Sequence, residues 1–405
     1  MLDPRNILTG REIPSEGYCD QPYIVKTEDG TWLCVMTTGL GNEGEPGQHI
    51  ISVRSNDYGH SWSSPVDIEP ADGPEASWAL PFITPYGRVY VFYTYNHQNL
   101  REVAADDPPF RGGKTRRVDT LGEYAFKYSD DGGRTWSRER HTIPVREMRI
   151  DRENPTGGSA WFFWGVGKPV SDGERMFLGF AKVGRFGEGF MAESESCFLR
   201  CDNILQERNP DRLVWETLPE GDSGLISPAG PLSEEANLVV LSDGSLFCTW
   251  RTVAGHPGQA YSRDGGRTWT PPAFMRYRPD GPLVHHPRAA NPLRKLEEGP
   301  NAGRYIYWFH NNSTPGCSPA AGLATRNPAW IMGGEESDGP DGKEIHWGRP
   351  EVVLFADDPQ TGISYPDFVE EGEDLYITTT EKKTARVHKV PDWLLGRIWE
   401  NLNER

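Results

Sequence analysis

The chain has 405 residues and a formal net charge of −17, with 59 acidic against 42 basic side chains. That balance excludes nucleic acid and anionic membrane as partners, because a phosphate-binding surface needs clustered Lys and Arg. No apolar run is long enough to span a bilayer, and the opening MLDPRNILTG lacks the basic-then-apolar order of a signal peptide, so compartment and oligomeric state are left open.

In chain order, short strand-like runs recur. PYIVKTEDGTWLCV comes first, followed by the loop GLGNEGEPGQHIISV and the turn SNDYGHSW at Ser55 to Trp62. GPEASWALPF and GRVYVFYTY then lead to SDDGGRTW at Ser129 to Trp136, and WFFWG and RMFLGFAKV lead to DRLVWETLP around Trp215. EEANLVVLSDGSLFCTWRT precedes SRDGGRTW at Ser262 to Trp269, RYIYWFH precedes IHWGRP at Trp347, and a last strand-rich unit runs from Gly362 to Val390. Such runs, rich in β-branched and aromatic residues and separated by Gly- and Pro-rich turns, read as strands. The first amphipathic helical pattern is DWLLGRIWENL near the C-terminus.

The three eight-residue turns share Ser, Asp, Gly and Trp in one register. Each reads as a hairpin turn in which Asp57, Asp131 or Asp264 folds its carboxylate onto backbone N–H groups. The Gly supplies φ > 0, and the Trp is expected to close the turn against its own sheet. The gap between the second and third copies is nearly twice the first, and Trp215 marks a degenerate unit inside it. Trp62, Trp136, Trp215, Trp269 and Trp347, with the final unit, give six repeats. Six sheets of about four short strands make an all-β, six-bladed β-propeller with a short C-terminal helix. Closure of such a ring predicts one domain over residues 1–405. The stretches from Arg101 to Thr120 and Gly333 to Lys343 are expected to be blade insertions or exposed turns.

The six cysteines show no zinc-type pairing, and no metal or other cofactor is expected. Cys34 and Cys248 fall inside strand patterns and read as buried small apolar groups, and Cys197 and Cys201 are too far apart along a strand to bond directly.

The repeated S-x-D-x-G-x-[ST]-W turns on a six-blade count resemble the sialidase superfamily, the Asp-box or BNR-repeat propellers, across essentially the whole chain. The resemblance implies a glycosidase active on a terminal acidic sugar. EEANLVVLSDGSLFCTWRT resembles the segment that carries the catalytic Glu and an Arg of the carboxylate-binding triad, which places those roles on Glu235 and Arg251. ATRNPAW places another triad Arg on Arg326, and GISYPDFVEEGEDLYI puts Tyr365 in the place of the nucleophilic Tyr. Two departures stand out. CDQPYIV puts Asp20 where the first triad Arg belongs, and the loop that carries the family's acid Asp holds Glu43, Glu45 and His49 instead. The clamp and the acid are therefore expected to be rebuilt, with Arg288 in HHPRAANP as the replacement Arg and Asp20 or His49 as the acid.

The chemistry of this set is coherent without the resemblance. An anomeric carbon bearing a carboxylate repels an anionic nucleophile, so a phenol deprotonated by a neighbouring Glu attacks better than a carboxylate does. Planar guanidiniums can grip the carboxylate bidentately. Glu75, Asn96 and His97 are candidates for sugar hydroxyls, and Trp164 in WFFWG for stacking on the sugar ring. The leading function is an exo-acting retaining glycoside hydrolase with sialic acid as substrate. The alternatives are a polysaccharide lyase that uses Tyr365, His49 or His97 as base on a uronate, and a non-catalytic glycan-binding propeller.

Overall fold

The computed structural model describes residues 2–104, 113–187, 190–313 and 325–403. Within them the strands form six antiparallel sheets of four or five strands, arranged as the blades of a propeller. Blade one is Tyr18–Lys26, Trp32–Gly39, His49–Ser55 and Val66–Glu69, from axis to rim. Blade two begins at Ala76–Ile83, blade three at Phe163–Trp164, blade four at Glu234–Val240, blade five at Leu293–Lys295 and blade six at Ser364–Glu371. The sixth blade has only three consecutive strands of its own. Its outer strand is Arg11–Ile13, from the other end of the chain, paired antiparallel with Ala385–Lys389. This N-terminal strand thus closes the ring and covers an edge that would otherwise be unpaired.

Seven of the hydrophobic clusters lie between neighbouring blades, at least one at each of the six seams. Leu80 and Phe92 of blade two meet Leu178 and Phe180 of blade three, Phe177 and Phe198 of blade three meet Leu238 and Cys248 of blade four, and Ile24 and Trp32 of blade one meet Val369 and Tyr376 of blade six. A single blade has no core of its own, so each sheet is stable only through its two neighbours.

The repeated turns fold as read from their sequence. The carboxylates of Asp57, Asp131 and Asp264 accept the N–H of Ser61, Thr135 and Thr268 at 2.8, 2.9 and 2.9 Å, and the hydroxyls of the same residues at 2.6 Å. The Ser that opens each turn accepts the N–H of Gly59, Gly133 or Gly266. The Trp, however, packs outward from its own sheet. Trp269 of blade four stacks on Phe198 of blade three at 4.6 Å between centroids, Trp136 of blade two donates to Ser52 Oγ of blade one at 3.0 Å, and Trp62 of blade one packs on the cluster shared with blade six. The turn therefore ties each blade to the preceding one. A ring lacking separate blade cores has most to gain from a large aromatic at that seam, so the expected closure against the turn's own sheet is corrected.

Gly333 to Lys343 is likewise no insertion. Ala329–Gly339 and Gly342–Trp347 form a regular hairpin of blade five. Its glycines are required by close packing, since a Cβ on Gly333 would lie 2.6 Å from the Trp399 ring and one on Gly334 2.7 Å from Trp347. Arg101 to Thr120 does belong to a long excursion between the second and third strands of blade two, and carries the small pair Val103–Ala104 and Lys114–Thr115. Residues 105–112 of it lie outside the described residues.

The C-terminal helix, Asp392–Asn403, buries Leu394, Ile398, Trp399 and Leu402 on the cluster between blades five and six. Their spacing puts one apolar stripe on the ring. Among the described residues no helix is long and apolar enough to cross a membrane. Cys19, Cys34, Cys197, Cys201 and Cys248 are buried free thiols, and Cys317 lies outside the described residues.

Each inner strand has two ends facing opposite mouths of the ring. The later ends surround a cavity of about 540 Å³ lined by Lys26, Pro85, Lys168, Val240, Arg294 and Glu370, one residue from each blade. The candidate residues lie at the earlier ends, at the other mouth.

Candidate active site

Four inner strands share one irregularity near their beginning. Pairing with the second strand skips between Asp20 and Tyr23, Ser77 and Leu80, Glu234 and Asn237, and Ser364 and Asp367. In each gap one residue takes a left-handed backbone: Gln21 at φ 53°, Trp78 at 67°, Glu235 at 57° and Tyr365 at 48°. Non-glycine residues avoid this region because Cβ crowds the carbonyl, at a cost of about 1–3 kcal/mol each. The bulges re-aim their side chains, which meet around Trp164 of blade three. Trp78 and Trp164 are in ring contact at 3.9 Å between centroids, and Gln21 donates to Gly165 O at 3.1 Å.

Glu235 is the hub. Its Oε1 accepts from Tyr365 Oη at 2.9 Å and Trp164 Nε1 at 3.0 Å, and lies 2.6 Å from Arg251 Nη1. Burial, and then the negative charge of Glu235, hold the Tyr365 phenol well above its ordinary pKa, with Arg251 acting the other way. At rest the phenol is the proton donor and the carboxylate the acceptor. Among the described residues no group bonds Glu235 Oε2, Arg326 Nε or Gln21 Oε1, although all three atoms are buried. Such unspent hydrogen-bonding capacity at a convergence of blades is what a polar ligand would use.

The sequence brings Arg251, Arg288 and Arg326 together, but in unequal states. Glu234, next to the hub, accepts Arg251 Nε at 2.7 Å and Arg288 Nε and Nη2 at 3.1 and 2.6 Å. Burial alone would raise its pKa, but Arg288 and Arg251 override that and keep it low. Arg251 and Arg288 are therefore neutralised from within. Arg326 instead donates to neutral groups, Ser364 Oγ at 2.9 Å and the Arg288 carbonyl at 3.1 Å. Of the three arginines expected to grip a carboxylate, Arg251 and Arg288 thus already share Glu234, and Arg326 does not.

Asp20 is buried on the blade-one side. Tyr18 Oη donates to it at 2.8 Å and Lys382 Nζ at 2.5 Å. Burial pushes its pKa up to about 6 against the pull of Lys382. Lys382 also reaches Glu43 at 2.8 Å and stands 4.3 Å from the centroid of the Tyr365 ring. Arg117 completes the rim: it pairs with Asp119 at 2.6 Å and Glu43 at 3.0 Å, and lies 3.9 Å over the Phe190 ring. Burial would raise Glu43, yet Lys382 and Arg117 hold it well below the usual carboxylate range.

Of the remaining candidates, only Trp164 lies in the cluster. His49 is on the third strand of blade one, with its ring near Gly47 O, Glu16 and Asp67, which puts it outside the Tyr365 cluster. His97 is exposed and 3.9 Å from Glu123. Glu75 is buried beside Asn96 at 3.2 Å, pairs with Arg101 and accepts the Gly47 N–H at 3.2 Å, so Glu75 and Asn96 brace the loop that carries Glu43. Trp164 contributes its indole N–H and one wall, with its ring face covered by Trp78.

Sequence reasoning missed Gln21, Trp78, Arg117 and Lys382 and gave Glu234 and Glu43 no place in the site. A visible signal existed for the last two, in the Glu234–Glu235 pair and the acidic loop. No metal-ligand cluster is found among the described residues.

The BNR/Asp-box repeat family model matches residues 127–138 and 260–271, two of the three turns. No curated protein matches the chain by sequence. Among solved structures, an intramolecular trans-sialidase from Ruminococcus gnavus, in complex with oseltamivir carboxylate, superposes with a TM-score of 0.63 at 14% identity, covering 95% of this chain and 96% of that one. A Dyadobacter fermentans protein of unknown function gives 0.61 at 14% identity, with 94% and 97% covered. The Trypanosoma rangeli sialidase gives 0.59 at 10% identity, covering 95% of this chain and 56% of that one. The chain is thus a six-bladed propeller with BNR/Asp-box repeats, structurally close to sialidase and trans-sialidase folds; at these identities the likeness shows the fold.

Proposed function

We propose that this chain is an exo-acting retaining glycoside hydrolase that removes a terminal acidic sugar, with sialic acid as the first candidate. The observation that carries the reading is the 2.9 Å hydrogen bond from Tyr365 Oη to Glu235, in a buried setting with Arg251 on the same carboxylate oxygen. A glycan-binding site has no need of a phenol–base pair. Structural neighbours named as sialidases and trans-sialidases support the acidic-sugar substrate.

In the first step the Tyr365 proton passes to Glu235, the phenolate oxygen bonds to the anomeric carbon, and the bond to the leaving oxygen breaks. The leaving oxygen takes a proton from Asp20. In the second step water attacks the same carbon and gives a proton to Asp20, while the departing Tyr365 oxygen takes its proton back from Glu235. Asp20 and Glu43 are a carboxylate pair whose environments drive their pKa values apart, which separates a proton donor from a fixed anion. Deprotonating a buried phenol is costly, and the Arg251 guanidinium stabilises the phenolate as it forms.

The test is release of 4-methylumbelliferone from its α-sialoside, compared with Tyr365→Phe. Wild type should turn over, and the Phe variant should lose at least about 100-fold in kcat, the lower range for losing such a group. A Phe variant that keeps most of its kcat would remove Tyr365 as nucleophile. An unsaturated product absorbing in the ultraviolet from a uronate polymer would establish the lyase instead.

A further inference from the structure

We infer that Lys382, together with Arg326, is the receptor for the ligand's negative charge, and that Lys382 is the side chain that makes this site select an acid over its neutral analogue. The inference rests on the proposed acidic-sugar reading and adds to it a residue on which sequence reasoning placed no role.

The basic side chains of the site differ in how far their charge is already met. Arg251 and Arg288 share Glu234, which takes three of their hydrogen bonds. Arg117 is engaged by Asp119 through both Nε and Nη2, at 3.0 and 2.6 Å. Among the described residues two further cations lie near Tyr365, Arg326 on the neighbouring Ser364 and Lys382 at the Tyr365 ring. Arg326 bonds only neutral oxygens and keeps a buried N–H unpaired among the described residues. Lys382 is shared between Asp20 at 2.5 Å and Glu43 at 2.8 Å, and whenever Asp20 carries the proton that the proposed donor step requires, one carboxylate partner is left. An ammonium with three donors and one anion retains capacity for a second.

Its placement is fixed. Lys382 has φ 70°, a strained value for a side chain with a Cβ, in the hairpin before Ala385–Lys389. That backbone is held by the Lys382 N–H on Thr380 Oγ1 at 2.8 Å, and by the Cys19 N–H on the Lys382 carbonyl at 3.1 Å. Strain of this kind persists where surrounding bonds over-determine it, and here they pin the hairpin to the strand that carries Asp20. With Nζ 4.3 Å from the Tyr365 ring centroid, an anion bound to Lys382 lies beside the nucleophile. Its side chain is also 17% exposed, so a ligand entering this mouth can reach it.

The test reads binding, so that it does not depend on turnover. The full chain carrying Tyr365→Phe is titrated by calorimetry with 2-deoxy-2,3-didehydro-N-acetylneuraminate and its methyl ester, and with p-nitrophenyl glucuronide and its methyl ester. For at least one pair the acid should bind about 10- to 100-fold tighter than the ester, the range for a charge-assisted hydrogen bond. Adding Lys382→Met should bring that ratio near one, and Lys382→Arg should keep most of it, with melting temperatures confirming that both variants fold. A ratio that survives Lys382→Met, equal weakening of acid and ester, or no preference for either acid before the change would overturn the inference. Absence of sialoside or glucuronide hydrolysis by the wild-type chain, with a Lys382-dependent acid preference intact, would refute the hydrolase reading alone.

Discussion

At the residue scale, the site is organised around which carboxyl groups hold a proton. In the proposed mechanism Asp20, pushed up to about 6 by burial, is the donor, so the rate on substrates with poor leaving groups should fall as pH rises through that value and Asp20 loses its proton. Asp20→Asn should remove this limb and cost far more on natural glycosides than on aryl glycosides, whose leaving group departs without protonation. Equal losses on both substrates would assign Asp20 to binding. Glu235→Gln keeps an acceptor for Tyr365 but removes the base, so kcat should fall about 100-fold or more with KM little changed, measured on the same aryl glycoside. Tyr365, Glu235 and Arg251 were legible in the sequence through the segments that resemble the sialidase superfamily. Gln21 and Trp78 were not, since a left-handed bulge leaves no mark in composition. Lys382 and Arg117 come from a hairpin turn and a long excursion, and reach the axis only because the ring brings blades six, one and two together.

At the element scale, the repeated turn is a seam between blades. Trp269→Ala removes the stack on Phe198 and should destabilise by about 2–3 kcal/mol, somewhat below the range for a fully buried aromatic, while leaving kcat unchanged. Asp264→Ala should cost about 1 kcal/mol by analogy with a lost helix cap, read as a lower melting temperature with intact turnover. Loss of turnover without loss of stability in either variant would give the turn a catalytic role it has no geometry for. The turn itself was readable, because Ser, Asp and Gly act on their own backbone within eight residues. The partner of its Trp was not, because that partner belongs to another repeat. The same holds for Gly333 and Gly334, which look like loop residues until Trp399 and Trp347 are seen packed against them.

At the scale of the whole molecule, the six-blade count followed from the repeats, whereas the closure by Arg11–Ile13 did not, because three residues carry no periodicity. With its cores between blades, the ring is expected to unfold as one unit. Deleting residues 2–13 should therefore lower the melting temperature of the whole protein and not of blade six alone, as checked by calorimetry. The ring also sets the chemistry, since blades one, two, four and six each bend one residue inward to build a single buried cluster. The most direct test of the central claim is to incubate the protein with a fluorinated acidic glycosyl fluoride, which slows release of the sugar from the enzyme, and to locate the adduct by peptide mass spectrometry. The expected outcome is one sugar on the peptide that contains Tyr365, absent in Tyr365→Phe. An adduct on Glu235 or Asp20, or turnover of the reagent with no adduct at all, would contradict it.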